Sequence, residues 1–384
     1  MSNITTNTYL GYIEGYYGNL LNWRDRFRLI KTLKKNKMNS YFYAPKDDPK
    51  HRYNWRKKYS KNWLQKFKNF CSHATENEIE IIIGVSPGAD FNFDEIYNSN
   101  IFSNDLNILL DKCDTLIKCG ASKIAILFDD IPNIFTSFFK KYNEGKSHGK
   151  LVKILSEKLN KEVFIVPRIY SDELFFDNPS YIGDLISELK HISKLFYCGK
   201  YIVNDKFETD EKNIKLLYKK NKVIFWNNFY ANDYCPNKLF IGPYYYDPPN
   251  KNLMFNLTGY INTDLLIISI INSCLNKKNK IYNWKKIILK NKVPQNFFEL
   301  IHFFDRPTYS YEEEIRNIKI PENIISNLDF LLWNWKSPLS LEWYKYLFKL
   351  KHDLEIFNNR INYNRILKTQ TYPMQKILYN RRKK

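Results

Sequence analysis

Glycine, paired cysteines and long apolar runs are all scarce in this sequence, and each scarcity excludes a class of protein. Only 12 of the 384 residues are glycine, and neither a GxGxxG nor a GxxxxGK[ST] segment occurs, so no nucleotide site is indicated. No stretch approaches the roughly 18 consecutive apolar residues of a membrane-spanning helix. The N-terminal segment has neither the basic nor the apolar part of a secretory signal. We therefore expect a cytoplasmic protein without a membrane partner.

Cysteine and histidine show no arrangement typical of a metal or redox site. The six cysteines are scattered without a CxxC pair, which suits a reducing compartment. The six histidines form no HExxH motif and do not gather at the ends of apolar runs, so zinc is not expected. The sequence therefore predicts neither a metal nor a cofactor, and nothing marks Cys198 as a nucleophile.

A formal charge of +20 is typical of proteins that bind nucleic acid. The basic residues are nevertheless spread along the chain, except for the tail Arg381-Arg382-Lys383-Lys384. Lysine is also abundant together with Asn, Ile, Tyr and Phe, which indicates a composition-biased genome. We therefore expect no nucleic-acid partner and interpret the tail as a solvated end.

Short apolar or aromatic runs alternate with segments of helical periodicity over most of the chain. The runs start near Leu10, Ser40, Glu80, Lys123, Val163, Leu195, Val223 and Leu253. The helical segments include residues 24–35, 62–73, 106–118, 149–159, 182–189 and 208–220. Alternating strands and helices indicate a parallel sheet, and eight such units indicate a closed barrel. The predicted fold class is α/β, a (β/α)8 TIM barrel followed by a C-terminal helical bundle.

The pattern changes after about residue 280, where the strand-like runs stop. Apolar and aromatic residues then recur at helical spacing, as in 324–335 and 341–357, and prolines separate these segments. We therefore predict two domains, a catalytic barrel over residues 1–280 and a helical stalk-like domain over 281–384.

In a parallel barrel, functional side chains gather at the carboxyl ends of the strands. The fourth run, ILFDDI at residues 126–131, ends there in two adjacent carboxylates. Consecutive strand side chains point to opposite faces, so Asp129 and Asp130 converge on one ligand only if the chain turns. Two carboxylates held close together do not ionise independently, and one keeps its proton toward neutral pH. The alternative is an ordinary strand end, with Asp129 capping a helix and Asp130 in water.

The other strand ends carry carboxylates, amides, aromatic rings and one lysine. Carboxylates and amides bracket hydroxyl groups, and an aromatic face stacks on a sugar ring. Two acids at the centre of such a set indicate glycoside hydrolysis.

Several stretches at these strand ends also carry a family resemblance. They are YIEGYYG (12–18), YFYAPKDDPKHR (41–52), SPG (86–88), ILFDDI (126–131), WNNFYANDY (226–234), LFIGPY (239–244) and FN (255–256). In content and order they resemble the catalytic domain of glycoside hydrolase family 84, most closely its eukaryotic-type O-GlcNAcase branch. The resemblance covers residues 8 to about 280.

The resemblance implies a retaining, substrate-assisted mechanism in which the substrate's own 2-acetamido oxygen is the nucleophile and closes an oxazoline. On the family pattern, Asp129 orients and polarises the acetamido group. Asp130 is the general acid for the leaving oxygen and later the base for water. The neighbouring Asp129 gives a reason for Asp130 to stay protonated near neutral pH.

The resemblance also implies the contacts to the sugar. Gly15 and Lys46 fall on positions that contact sugar hydroxyls, and Tyr170 falls on the tyrosine that seats the acetamido group. Trp226 would wall the pocket. Beside Lys46, Asp47 and Asp48 are expected to stabilise their loop.

Three further polar residues complete the predicted substrate site. Asn228 would bond the acetamido or aglycone side, and Asp233 would hold the O4 and O6 hydroxyls. Asn256 falls on the sugar-contacting asparagine, although Leu257 follows it where the family usually has proline.

We therefore predict a β-N-acetylglucosaminidase that removes O-linked GlcNAc from Ser and Thr of proteins. Two alternatives stay open: a hexosaminidase acting on a GlcNAc-containing polysaccharide such as hyaluronan, and a non-catalytic GlcNAc-binding module. The family's stalk region helps to dimerise, so the resemblance is compatible with a homodimer through the helical part. The chain is expected to lack the acetyltransferase-like domain that some members append.

Overall fold

A closed barrel of parallel strands forms the centre of the molecule. The computed structural model describes residues 8–98, 104–137, 139–189, 194–248, 252–307 and 322–357. Its strands are β1 (Leu10–Glu14), β2 (Ser40–Tyr43), β3 (Glu80–Val85), β4 (Lys123–Leu127), β5 (Val163–Val166), β6 (Leu195–Tyr197), β7 (Val223–Asn227) and β8 (Leu253–Asn256). They pair in sequence order, and β8 pairs with β1 through Leu10 and Leu253. The predicted barrel and all its strand starts are confirmed.

Helices cover the outside of the barrel. They are α1 (Trp23–Lys35), α2 (Lys61–Glu76), α3 (Asp105–Lys118), α4 (Glu144–Leu159), α5 (Tyr181–Glu188), α6 (Lys212–Lys219) and α7 (Ile261–Cys274). Asn22, Ser60 and Asn143 begin α1, α2 and α4 as N-caps, each accepting a hydrogen bond from a first-turn backbone N–H. The described part of the β7–β8 connection contains no helix, so this unit departs from the regular repeat.

The strands are buried on both faces, which explains their nearly continuous apolar sequences. One face of each strand packs against the helices. The other fills the barrel with a layer of Ile13, Phe42, Ile82, Leu127, Phe164, Phe196, Ile224 and Met254, among others. Because side chains fill the interior, a ligand can enter only at the barrel mouth.

The C-terminal helices pack directly on the barrel. They are α8 (Lys280–Lys290), a 3-10 helix (Gln295–Phe303), α9 (Ile324–Asp329) continued by a π-helical turn (Phe330–Asn334), and α10 (Pro338–Phe357). On α8, the Trp284 indole donates to the Ile241 carbonyl in the β7–β8 connection at 2.7 Å. On α10, Glu342 accepts backbone N–H bonds from Asn262 and Thr263 at the start of α7.

The basic tail at 381–384 and the rest of residues 358–384 lie outside the described residues. Within the described ranges, none of the helices combines the length and the apolar character needed to cross a bilayer.

Candidate active site

A cavity of about 390 Å³ opens at the carboxyl ends of the strands. The nine residues that the sequence predicts for the site all line it: Gly15, Lys46, Asp129, Asp130, Tyr170, Trp226, Asn228, Asp233 and Asn256. The cavity is also lined by residues that the sequence reasoning did not single out, namely Tyr17, Val166, Phe196, Tyr197, Cys198, Ile202, Val203 and Tyr234. The predicted positions therefore meet in one place, and apolar side chains of the barrel surround them.

Asp129 lies just beyond the end of β4 and is only 5% exposed. Its Oδ2 accepts a hydrogen bond from the buried Lys46 ammonium. Its Oδ1 is buried and has no hydrogen-bond partner among the described residues. Burial raises the pKa of Asp129, although the charge of Lys46 acts against the increase. Asp129 thus has one carboxylate oxygen that no donor among the described residues satisfies.

Asp130 makes the turn that the adjacent carboxylates require. Its φ of +54° lies in the left-handed region, which few residues other than glycine adopt. The turn brings both carboxylates to the same cavity. The hydroxyl groups of Tyr17 and Tyr170 donate to the Asp130 carboxylate at 2.9 and 2.7 Å. The ordinary strand end, with Asp130 alone in water, is thereby excluded.

The surroundings of the Asp130 carboxylate do not support the expectation that it stays protonated near neutral pH. Burial acts to raise the pKa of Asp130, but the nearby Lys46 charge and the hydrogen bonds from Tyr170 and Tyr17 outweigh it. The net result is a pKa of Asp130 below its usual value. Cations and donors around a carboxylate favour its ionised form, and here they come from loops that are distant in sequence.

Arg52 is a part of the site that the sequence reasoning missed. Its Nη1 donates to the Tyr17 hydroxyl at 2.8 Å, and its Nη2 donates to the backbone carbonyl of Asp130. The only sequence signal for Arg52 is its place in the stretch 41–52 that carries the family resemblance.

Lys46 belongs to the loop after β2, and buried side chains of this loop lie close to it. His51 packs beside it, with Nδ1 2.9 Å from the Gly84 carbonyl oxygen, and burial together with the Lys46 charge lowers the pKa of His51 to about 3. His51 is therefore neutral, and Lys46 supplies the local positive charge. Asp48 accepts hydrogen bonds from the Tyr43 and Tyr59 hydroxyls, both at 2.8 Å, so it fastens the loop as expected.

The opposite wall of the cavity is a closed network of amides. Asn228 Oδ1 accepts from the Trp226 indole at 3.0 Å and from Asn256 Nδ2 at 3.1 Å. Asn228 Nδ2 donates to the Ile202 carbonyl at 2.9 Å, and Asn256 Oδ1 accepts from the Gly15 N–H at 3.2 Å. A Cβ at Gly15 would lie 2.6 Å from the Trp226 ring, so only glycine fits there.

Asp233 lies at the rim, in the loop after β7. Its carboxylate accepts backbone N–H bonds from Tyr17 and Tyr234, each at 3.1 Å, and burial raises the pKa of Asp233. The preceding Asn232 donates to the Tyr346 hydroxyl of α10 at 2.7 Å. The C-terminal helices therefore hold the loop that carries Asp233.

The Cys198 thiol lines the cavity but is held in its protonated form. Burial raises the pKa of the Cys198 thiol, and the carboxylates of Asp130 and Asp129 act in the same direction. The thiol therefore stays protonated and is not an activated nucleophile. No group of His, Cys, Asp and Glu in the described part of the chain has the arrangement of a metal site.

The fold and the cavity together define the class of protein. The protein is a parallel barrel with a cavity at its mouth. The adjacent carboxylates of Asp129 and Asp130, a third carboxylate at the rim, a lysine, amides and aromatic rings line this cavity, and the combination defines a glycoside hydrolase.

Comparison with known proteins gives the family. The family model described as beta-N-acetylglucosaminidase matches residues 10–263, which is more than half of the chain. The chain therefore belongs to the beta-N-acetylglucosaminidase family, and the resemblance found in the sequence is confirmed.

Individual relatives agree with this assignment. Protein O-GlcNAcase of Mus musculus is 32% identical over 243 residues, which cover 61% of this chain and 26% of the mouse protein. Protein O-GlcNAcase of Rattus norvegicus is 31% identical over 243 residues, which also cover 61% of this chain and 26% of the rat protein. The match thus spans about a quarter of the length of these relatives. The solved structure of CpGH84B superposes with a TM-score of 0.71 at 21% identity, covering 98% of this chain and 74% of that chain, which supports the fold.

Proposed function

We propose that this chain is a retaining β-N-acetylglucosaminidase that removes O-linked GlcNAc from Ser and Thr of proteins. The observation that carries the proposal is the pair of oxygens on Asp129. Lys46 holds one of them, and the other is buried without a partner among the described residues, on a side chain that lines the cavity. A buried acceptor without a donor costs about 1–3 kcal/mol, so a substrate donor that completes it gains binding energy. The acetamido N–H of GlcNAc is such a donor.

The first half of the reaction uses both carboxylates. The acetamido N–H donates to Asp129 Oδ1, which makes the acetamido oxygen more nucleophilic. That oxygen attacks C1 while Asp130 gives its proton to the glycosidic oxygen. The C1–O bond breaks, the ring closes as a protonated oxazoline whose N–H stays hydrogen-bonded to the Asp129 carboxylate, and the Ser or Thr hydroxyl leaves. Lys46 stabilises the charge of Asp129 throughout.

The second half returns the enzyme to its starting state. Asp130, now ionised, takes a proton from water, and the water oxygen attacks C1 of the oxazoline. The ring opens and regenerates the acetamido group. Two successive inversions at C1 give net retention.

Substrate binding explains how Asp130 acquires its proton despite its lowered pKa. The sugar excludes water from the cavity, and the Tyr170 hydroxyl turns toward the acetamido group that it seats. Both changes remove stabilisation from the ionised carboxylate and raise its pKa. The remaining contacts are those assigned to Gly15, Trp226, Asn228, Asp233 and Asn256.

The names of the two rodent relatives support glycosylated proteins as the substrate class. In the same proposal, residues 1–280 form the catalytic domain, the helical part over 281–384 supports the cavity rim and contributes to a homodimer, and the protein works in the cytoplasm without a nucleic-acid partner.

The test is turnover of aryl β-GlcNAc glycosides and of an O-GlcNAc peptide by the protein and its aspartate variants. We expect Asp130→Asn to lose on the order of 10²–10⁴-fold with a poor leaving group and to keep more activity with a good one, because a good leaving group needs no proton. Asp129→Asn should lose activity on both. Asp114→Asn is the matched control, since Asp114 lies on α3 in an exposed ion pair with Lys118.

Three outcomes contradict the proposal in different ways. Full activity of both site variants would refute the mechanism. GlcNAc release from hyaluronan fragments without turnover of the peptide would favour the polysaccharide alternative. Saturable GlcNAc binding with no turnover would favour a binding module.

A further inference from the structure

Arg52 is a buried arginine that pairs with no carboxylate of the described chain. It is 9% exposed, and its side-chain hydrogen bonds go to a hydroxyl and a backbone carbonyl. The two other deeply buried arginines behave differently: Arg26 forms an ion pair with Glu14, and Arg168 forms one with Glu144. Burial acts to lower the pKa of Arg52, but the nearby Tyr17, Asp129 and Asp130 outweigh it, so the acidic site as a whole stabilises the guanidinium in place of one carboxylate partner.

Both hydrogen bonds of the Arg52 side chain lead to Asp130, one directly and the other through Tyr17. Nη2 binds the backbone carbonyl of Asp130, and Nη1 binds Tyr17, whose hydroxyl donates to the Asp130 carboxylate. A single planar guanidinium therefore fixes Asp130 at its backbone and, through one tyrosine, at its side chain. The five N–H groups of arginine are rigidly arranged, which suits a clamp of this kind.

The backbone of Asp130 is the part of the site that most needs such a clamp. Its left-handed φ of +54° is unfavourable for a residue with a side chain and persists only where the surroundings hold it. If the turn relaxed, the carboxylate would leave the cavity that it shares with Asp129.

We propose that Arg52 is a positioning residue for Asp130, which holds the left-handed turn and, through Tyr17, aims the carboxylate at the glycosidic oxygen. The inference rests on the proposed function, in which Asp130 is the general acid. Arg52 itself touches neither the sugar nor the reacting atoms in this mechanism.

The charge of Arg52 adds a second, separable effect. The titratable and charged groups that face Asp130 are Tyr17, Lys46, Arg52, Asp129, Tyr170, Cys198 and Asp233. Among them the cations are Lys46 and Arg52. Removal of the Arg52 charge destabilises the ionised carboxylate and raises its pKa, so the loss of activity with rising pH moves to higher pH.

The experiment compares Arg52→Gln, Arg52→Lys and Tyr17→Phe on two glycosides, phenyl β-GlcNAc with a poor leaving group and dinitrophenyl β-GlcNAc with a good one. A misplacement of about 1 Å costs on the order of 10²-fold in rate. We expect Arg52→Gln to lose about that factor in kcat/KM on the phenyl glycoside, far less on the dinitrophenyl glycoside, and to shift the alkaline limb upward.

The other variants separate position from charge. Arg52→Lys keeps the charge but lacks the planar fork, so it should keep the wild-type alkaline limb and still lose activity on the phenyl glycoside. Tyr17→Phe should show a smaller loss of the same kind. The control is Arg56→Gln, because Arg56 lies four residues on and pairs with Asp90 and Asp105 outside the cavity.

Equal losses on both glycosides with an unchanged pH profile would overturn the inference, because a general loosening of the fold acts alike on both. If Arg52→Gln does not fold, Arg52→Lys and Tyr17→Phe decide by the same ratio of losses. Absence of turnover by the unmodified protein would refute the proposed function instead. Normal turnover with an unaltered leaving-group preference in the Arg52 variants would refute only the role of Arg52.

Discussion

The two walls of the cavity treat their polar groups in opposite ways. The acidic wall, formed by Lys46, Asp129 and Asp130 with Arg52 next to it, contains a left-handed backbone and a buried carboxylate oxygen without a partner among the described residues. The amide wall, formed by Gly15, Trp226, Asn228 and Asn256, is joined by hydrogen bonds of 3.0–3.2 Å, and Asn228 also donates to the Ile202 carbonyl at 2.9 Å. In the proposed function a ligand completes the acidic wall, whereas the side chains of the amide wall are already hydrogen-bonded to one another.

This difference between the walls predicts which substitutions reduce stability and which reduce turnover. Satisfied buried hydrogen bonds stabilise a fold by about 1 kcal/mol each, whereas unsatisfied or strained groups cost free energy and persist mainly at functional sites. We therefore expect substitutions in the acidic wall to affect turnover more than stability, and substitutions in the amide wall to do the reverse.

The largest expected effect is that of Lys46→Met. Without the ammonium group, Asp129 is a buried carboxylate without a cation, so its pKa rises further and it takes up a proton. A protonated Asp129 accepts the acetamido N–H poorly, and kcat/KM should fall by on the order of 10²–10³-fold. Steady-state kinetics measure the loss of turnover, and thermal unfolding measures any accompanying loss of stability.

Lys34→Met is the control for Lys46→Met, since Lys34 forms an exposed ion pair with Glu78 far from the cavity. A Lys46 variant that unfolds much more easily but keeps wild-type kcat would break the contrast between the walls.

A smaller effect on turnover is expected for Asn228→Ala. Asn228 joins Trp226, Asn256 and the Ile202 carbonyl, so its loss leaves several polar groups unpaired. The free energy of unfolding should fall by about 1–3 kcal/mol. Activity should fall alike on good and poor leaving groups, because the shape of the pocket changes and the acid does not.

Chemical denaturation and the two aryl glycosides test this prediction for Asn228→Ala. If the variant were as stable as the unmodified protein but selectively impaired on the poor leaving group, the amide wall would belong to the chemistry and the distinction would fail.

The barrel and the gathering of polar strand ends at its mouth follow from local sequence signals, whereas the choice of the nine site residues also rests on the family resemblance. Apolar runs and polar strand ends are short-range features, and a parallel barrel brings the carboxyl ends of all strands to one mouth. Arg52 and the direction of the Asp130 pKa are different. They depend on contacts with Tyr17, Lys46 and Tyr170, which come from other loops. No property of the segments alone predicts which loop atoms meet.

The β7–β8 connection is a second feature that local sequence signals do not predict. Its described residues contain no helix, and the C-terminal part of the chain packs there instead, through Trp284 and through the backbone pairing of Ile241 with Phe304. The sequence pattern indicates helices after residue 280 but not where they dock.

The smallest expected effect is that of a substitution at Tyr346, which lies on α10 outside the cavity. It tests whether the contrast between the two walls extends to the C-terminal helices. Its hydroxyl accepts the Asn232 amide at 2.7 Å, next to Asp233 at the rim. Tyr346→Phe removes the hydroxyl that accepts from Asn232 and is also hydrogen-bonded to Tyr260, so the free energy of unfolding should fall by about 1–3 kcal/mol. If α10 positions the Asp233 loop, KM should also rise a few-fold with kcat unchanged. Tyr344→Phe on the same helix, where Tyr344 is 40% exposed, should change neither. An unchanged KM in Tyr346→Phe, measured beside the expected loss of stability, would restrict α10 to a structural role and leave the contrast confined to the two walls.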